Sequence, residues 1–503
     1  MTATDVATPD KTTEEEPPRP TRTREDRWGW LGVGAITLAL AATWIPRVNL
    51  PFGDNHMGRI ISRYALHLAN LHEKGIVGSD FSADWEPYAN SAYAHHPPLL
   101  NILTALFGSF PGDQPIEVWL SPYLLALLIV PAGALLLRGL GLRWSATLLA
   151  VGLMAATTFF WVYAPIMFDL GPILLISAVV VIARRRDYQP SRGLIAIGVV
   201  AGLLSTLVSW PGIGFAGAMG LWLLIGRRRI DRVVLWIGGA MVVGLLISLT
   251  FIVGVSGIAD LTNQAEFRTQ GGTFTAREFA SRQVRYLDAL LPVWYLVLLV
   301  IGTVAGLLDK RTRLFMAFAV VFQGFWTIVL NNGAYIHEYW NYPVLILGLV
   351  GMGALLDRLI GWLTNRGPAR VALAASAAAG LALVVALGVI VTGRVDRNYV
   401  ENPTDAGALV SEHGPGPDQK VAWVAGGGLS TPRWYAYYWD LAPKGVTPEV
   451  LDGTEANPTD LVLMDLRRVP KWLPPTIGDR AFAKDGTYAL IRISDLKAAE
   501  ITP

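Results

Sequence analysis

Apolar segments near membrane-crossing length decide what this chain can fold into. They lie at about 28–46, 117–137, 144–162, 169–183, 193–210, 213–226, 233–256, 289–308, 314–331, 341–362 and 371–392. A helix needs about 20 residues to cross a hydrocarbon core about 30 Å thick, and most of these segments approach that length. In lipid each segment must satisfy its own backbone N–H and C=O groups, so helices are the solution for an open chain. A polytopic α-helical membrane protein of about eleven spans is expected, and an ordinary soluble enzyme is excluded. Only 16% of residues are charged, where soluble domains carry about a quarter. The formal net charge of +2 gives no sign of a nucleic-acid partner. Without cysteine the chain has no disulfide, thiolate nucleophile or thiolate metal site.

The run LLNILTALFGSF (99–110) is too short to span and is expected to form a helix at the surface. The placement of basic residues tests that choice, because short cytoplasmic loops collect Lys and Arg. With the N-terminus inside and 99–110 not spanning, the inner loops hold Arg138 and Arg143; Arg184, Arg185, Arg186 and Arg192; Arg227, Arg228, Arg229 and Arg232; Lys310, Arg311 and Arg313; and Arg358, Arg366 and Arg370. The short outer connections 163–168, 211–212 and 332–340 hold none. One more span would place all these clusters outside. Residues 1–27, rich in Thr, Pro and Glu, read as a disordered cytoplasmic tail, and 28–394 as the membrane domain. The outer side then holds 47–116, 257–288 and everything after about 394. All seven histidines fall on that side, which places the chemistry there.

The first outer loop begins RVNLPFGDNHMGRIISRYALHLANL. Asp54 precedes a stretch with apolar positions at helical spacing (Met57, Ile60, Ile61, Tyr64, Leu68, Leu71), which predicts an amphipathic helix on the membrane surface. An Asp at such a point also serves as a simple helix cap. The loop continues GSDFSADWEPYANSAYAHHPPLLN, where Tyr93, His95 and His96 meet two prolines that stiffen the chain ahead of a second surface helix.

An acid after the first membrane helix, a surface helix, and a His-Pro-Pro-Leu run before a second one together resemble the C-type-fold, polyprenyl-phosphate-sugar-dependent glycosyltransferases. The likeness is to their protein mannosyltransferase and aminoarabinose transferase-like branch. WVYAPIMFDLGPILL, with Asp169 at the start of the fourth span, and YIHEYWNYPVLILGL add to the resemblance, which covers roughly 28–362. Many relatives carry a second acid directly after the first, where this chain has Asn55 and His56.

The resemblance implies a sugar moved from a polyprenyl-phosphate donor to a hydroxyl of a glycan, lipid or protein outside the membrane, by direct, inverting displacement. That reaction needs a base for the hydroxyl and positive charge for the departing phosphate. The resemblance makes Asp54 the base, and Asp169 is expected to orient the acceptor or Asp54. The loop 257–288 offers Arg268, Arg277, Arg282 and Arg285, of which Arg277 is partly neutralised by Glu278. Arg282 and Arg285, three residues apart on one helix face, and Arg268 are the expected phosphate ligands, with Gly271-Gly272 allowing movement. Arginines drawn to lipid headgroups would look the same. His56, Tyr93, His95, His96, His337, Glu338 and Tyr339 are the expected substrate contacts, although the last three also suit an interfacial aromatic belt. Asp54, Asp169, His56, His95 and His96 are the groups that could gather around a divalent ion, but no spacing is a metal signature and no cofactor is required.

After Arg394 short apolar runs at 421–425, 460–466 and 488–494, punctuated by Pro and Gly, predict a small extracytoplasmic α/β domain over 395–503. Its aromatic cluster 434–439 suits core packing, docking or stacking on a sugar. An arabinofuranosyl- or oligosaccharyl-transferase of the same fold fits the sequence as well. A transporter or flippase would show charges at helix midpoints and an internal repeat, and neither is present. A non-catalytic scaffold would leave the outer acids dispensable.

Overall fold

The breaks between helices follow the local chemistry of the chain. In the computed structural model the described residues are 23–45, 56–85, 92–107, 115–185, 191–215, 232–269, 274–291, 293–364, 369–399, pieces of 406–451, and 460–499. Asp54, Gly271, Gly272 and the aromatic cluster 434–439 lie outside them, as do 1–22 and most of the segment 213–226.

Helix α1 (Arg24–Trp44) opens on a capping box, in which Thr23 and Asp26 satisfy each other's backbone N–H. Next come α2 (His56–Gly78), α3 (Leu99–Phe107), α4 (Pro115–Leu127), α5 (Ile129–Gly139), α6 (Trp144–Ala155), α7 (Thr158–Val162), α8 (Leu170–Arg185) and α9 (Arg192–Val208). The long α10 (Arg232–Thr269) bends at Gly257, whose φ of 82° only glycine adopts freely. Helices α11 (Ala276–Leu290) and α12 (Val293–Leu308) flank Pro292, which has no N–H to give to a helix, and they meet at 109°. Then come α13 (Arg313–Gly324), a π-turn at Phe325–Val329, α14 (Asn331–Ile336), a short turn at Glu338–Asn341, α15 (Val344–Thr364) and α16 (Ala369–Tyr399).

Among the described residues three stretches are long and apolar enough to cross a membrane: Ile116–Gly139, Arg232–Thr269 and Glu338–Leu363. The bent pair α11–α12 makes a fourth if it is one span. Trp144–Ala155, Leu170–Arg184, Arg192–Val208, Arg313–Val329 and Arg370–Ala386 are apolar but shorter. A total of eleven requires that these five cross as well, together with α1 and the segment 213–226, most of which lies outside the described residues. Helix α3 has nine residues, about 14 Å of helix.

Helix α2 departs from the expected surface helix. From Ile60 to Leu68 every residue is buried, Ser62, Arg63 and His67 included. The polar side is covered by the loop that follows: Asn101 donates to the Ser82 carbonyl at 2.8 Å, Ser82 to the His67 carbonyl at 3.3 Å, and His67 Nδ1 lies 2.9 Å from the Asp84 carbonyl. At the far end of the helix, burial lowers the His72 pKa to about 4. An imidazole that stays neutral in the fold takes up its proton more readily in the unfolded chain. Its contribution to stability is therefore full above pH ~6.5 and is lost as pH falls below that value. The Tm of the purified protein is expected to fall between pH ~7 and ~5, and His72→Gln to flatten that slope; an unchanged slope in the variant would remove His72 from the explanation.

Helices α12 and α15 meet on glycine. A Cβ on Gly351 would lie 2.6 Å from the carbonyl carbon of Gly302, and one on Gly302 2.8 Å from the Met352 nitrogen. Gly351→Val must push these backbones apart, and a loss of about 1–3 kcal/mol in unfolding free energy is expected. Unfolding in detergent measures it, and a wild-type Tm would mean that this contact contributes nothing.

Helix α15 links two regions of opposite character. Asp357, toward its C-terminal end, accepts from the Arg143 backbone N–H and from Arg311 Nη2, both at 2.8 Å, while Arg311 also binds Asp309 at 2.8 Å. Tyr342 lies fifteen residues earlier in the chain, about 22 Å away along a helix. Arg143 and Arg311 thus meet the C-terminal part of α15, and the segment 337–342 with His337 precedes its start.

The C-terminal part holds a five-stranded sheet in the order β2-β1-β3-β5-β4, with β1 (Val421–Val424), β2 (Gly445–Val446), β3 (Leu461–Asp465), β4 (Ala483–Lys484) and β5 (Tyr488–Arg492). β1 runs parallel to β2 and β3, and β5 antiparallel to β3 and β4. Alternation sorts its side chains: Val421, Leu461, Leu463 and Leu490 join the apolar core of the helices, and Val462, Met464, Ala489 and Ile491 form a separate small core.

Candidate active site

Helix α2 carries Arg63 into the interior with 7% of its surface exposed. Its guanidinium carbon lies 4.5 Å from the Tyr93 ring centroid and 4.9 Å from that of Tyr64. Its Nε has no hydrogen-bond partner among the described residues. Tyr93 is held in turn by Trp85, His95 and His96, with ring centroids 4.7, 4.4 and 6.0 Å away. The stiff His-Pro-Pro turn is fixed by Trp210, whose indole N–H donates to the His95 carbonyl at 2.8 Å. Arg63, Tyr93, His96, Pro97 and Asn101 line one recess.

The end of α10, beyond Gly257, brings two further charges. Asp260 lies 2.7 Å from His95 Nε2. Burial lowers the His95 pKa, and Asp260 opposes that shift in part. Arg268 is 2.9 Å from His337 Nε2, and its guanidinium carbon lies 5.4 Å from the Trp340 ring. Arg63, Arg268, His95 and His337 all act electrostatically on His96, so two permanent cations bear on the same imidazole.

The segment 337–342 is held by two stacked indoles. The Trp326 and Trp340 rings are 4.9 Å apart, and each N–H donates to the other's carbonyl, at 3.1 and 2.9 Å. The π-turn at Phe325–Val329 sets that arrangement, and such turns often accompany functional sites. Burial raises the pKa of Glu338 and Tyr339. On the inner side Asp169 is fully buried, and its Oδ2 accepts from the Tyr342 hydroxyl at 2.6 Å. Tyr64 responds to both Arg63 and Asp169 and so links the carboxylate to the cationic region.

Seven expected site residues therefore converge: Tyr93, His95, His96, Asp169, Arg268, His337 and Tyr339. Asp54 lies outside the described residues, and His56 is described in its backbone alone. Arg282 turns elsewhere, donating to the Tyr335 carbonyl at 3.3 Å with its guanidinium carbon 4.1 Å from the Tyr335 ring, and Arg285 is exposed. Glu278 caps α11 by accepting from Thr275 N–H at 2.7 Å, which replaces the expected pairing with Arg277. Sequence reasoning missed Arg63, Asp260, Trp210 and Tyr342. The signal for Arg63 was a cation beside Tyr64 in the loop already suspected of chemistry.

Among the described residues no three His, Asp or Glu side chains converge to hold a metal ion. The arrangement suits an anion. Two guanidinium groups from separate elements, one of them buried with an unused N–H, offer charge-assisted bonds that water does not replace.

No family model and no curated protein sequence matches the chain. Solved structures do, among them the following two. Both are crystal structures of ArnT from Cupriavidus metallidurans. The form bound to undecaprenyl phosphate aligns over 92% of this chain and 98% of its own, at 16% identity and a TM-score of 0.59. The apo form aligns over 94% and 99%, at 15% identity and a TM-score of 0.55. More than nine-tenths of the chain is covered in both alignments, so the chain has an ArnT-like fold, the C-type architecture that its short motifs resemble.

Proposed function

We propose that the protein is an integral-membrane glycosyltransferase that moves a sugar from a polyprenyl-phosphate donor to an acceptor hydroxyl on the outer side of the membrane. The observation that carries this reading is Arg63, a buried guanidinium whose Nε has no hydrogen-bond partner among the described residues and which, like a second cation, Arg268, acts electrostatically on His96. Among the described residues Arg63 forms ring contacts and no ion pair, and a buried charge without a counter-charge is costly, so the site suits an anion. The related ArnT fold holds undecaprenyl phosphate, and a lipid phosphate reaches such a site from the bilayer.

In this mechanism Arg63 and Arg268 bind the phosphate. The acceptor oxygen attacks the anomeric carbon from the face opposite the phosphate, the bond from carbon to the phosphate oxygen breaks, and the electron pair leaves with the phosphate. Charge on that phosphate rises as the bond breaks, so both arginines stabilise the transition state more than the bound donor. Asp54 takes the proton of the acceptor hydroxyl. Asp169, fixed by Tyr342, orients the acceptor, and Tyr93, His95, His96, His337, Glu338 and Tyr339 enclose the sugar. Arg282, midway along α11, ties that helix to the Tyr335 carbonyl. The topology has eleven spans, a cytoplasmic N-terminus and an external C-terminal domain. Reconstitution in liposomes with a panel of polyprenyl-phosphate sugars and hydroxyl acceptors tests the reading, which expects release of polyprenyl phosphate in step with glycosylated product. Tight donor binding without turnover on any acceptor would overturn it in favour of a binding protein.

A further inference from the structure

A second polar recess lies at the far end of the bundle. Asp26, Trp30, Leu135, Arg138, Trp144 and Ile182 line an open hollow of about 310 Å³ where the start of α1 and α6 meets the end of α5 and α8. Ile182 is thirteen residues along the chain from Asp169, about 20 Å along a helix, so the hollow faces the opposite leaflet from the candidate active site.

Its charges are fixed in place. The Arg138 guanidinium carbon lies 4.8 Å from the Trp144 ring, and its Nη1 donates to the Leu142 carbonyl. Asp26 Oδ1 accepts from the Trp144 indole at 2.8 Å, and Oδ2 from the Thr23 hydroxyl at 2.8 Å. The Trp144 N–H, more than any other contact, holds the Asp26 carboxyl below its ordinary pKa and so in its charged form. Arg138 and Asp26 stand 3.7 Å apart, each about 30% exposed. That is a loose, solvated pair contributing little by itself.

The hollow therefore presents one cation, one anion and indole faces, with no net charge. A simple anion would meet Asp26 and a simple cation Arg138. A zwitterion satisfies both, its phosphate on Arg138 and its ammonium on Asp26 and the Trp30 ring, which is 37% exposed. A primary ammonium has three N–H donors for the carboxylate, whereas a quaternary one has none. Leu135 and Ile182 give the hollow an apolar wall for an acyl chain.

We propose that this recess binds the headgroup of a phosphodiester lipid bearing a primary amine, a phosphatidylethanolamine, in the leaflet opposite the candidate active site. The site is independent of the transferase reading. The test purifies the full chain into micelles holding equal amounts of phosphatidylethanolamine, phosphatidylcholine and phosphatidylglycerol and counts retained lipids by native mass spectrometry. Phosphatidylethanolamine is expected to be retained about tenfold over either competitor, and Arg138→Gln and Leu135→Trp to abolish the preference. Soluble glycerophosphoethanolamine is expected to displace it and inorganic phosphate is not. Equal retention of the three lipids by the wild-type protein, a preference for phosphatidylglycerol, displacement by phosphate alone, or a preference unchanged in folded Arg138→Gln would each overturn the proposal. Because the wild-type ratio decides by itself, a variant that fails to fold does not protect it.

Discussion

Arg63→Gln is expected to lower kcat/KM for the lipid-linked donor by about 100- to 1000-fold, the cost of losing one preorganised donor to a developing anion. Glutamine keeps a polar side chain but removes the charge and the two-pronged geometry that suits phosphate. Charge on the leaving phosphate increases as the sugar departs, so kcat should fall as well as donor affinity. Arg63→Lys restores the charge without the fork and should recover part of the loss. A Gln variant that is folded and transfers sugar at the wild-type rate would remove Arg63 from the phosphate site and with it the main support for the proposed function.

Asp54→Asn should be as severe, with a loss of about 100- to 10,000-fold in turnover, the usual contribution of a general base. Donor binding should survive, since the amide adds no repulsion toward a phosphate. This pattern, intact polyprenyl-phosphate binding with no transfer, separates Asp54 from Arg63. Asp54 stands two residues before α2, and Arg63 seven residues beyond the start of that helix, about 10 Å along its axis. One short element would thus supply both the proton acceptor and a phosphate ligand. Full turnover in Asp54→Asn would reassign the base, with Asp169 the next carboxylate to test.

Much of the architecture was legible because lipid makes hydrophobic length a direct readout. The strands at 421–424, 461–465 and 488–492 also fell on the expected apolar runs. What stayed hidden depended on a second layer of structure. Periodicity divides α2 into apolar and polar faces, but it does not show that the loop around Ser82 and Asp84 folds back over the polar one. Arg63, on the polar face, therefore drew no notice. Asp260 was one polar residue among many past Gly257, and only its 2.7 Å approach to His95 distinguishes it. Tyr342 lay within an apolar span, where an aromatic residue draws no notice. The pairing of Arg282 with Arg285 had the right helix, but helical spacing alone does not say which neighbour a shared face meets.

Helix α10 has a further consequence. Only 17% of its apolar window is buried within the protein, and it packs chiefly on α9, while its last turns carry Asp260 and Arg268 to His95 and His337. Acyl chains, more than side chains, must then determine its tilt, because a mismatched helix leans to fit the surrounding hydrocarbon. Leaning about Gly257 changes the height at which the two charges are delivered. Under the proposed function, bilayer thickness would then be a variable of catalysis, to be controlled in any reconstitution as carefully as substrate concentration.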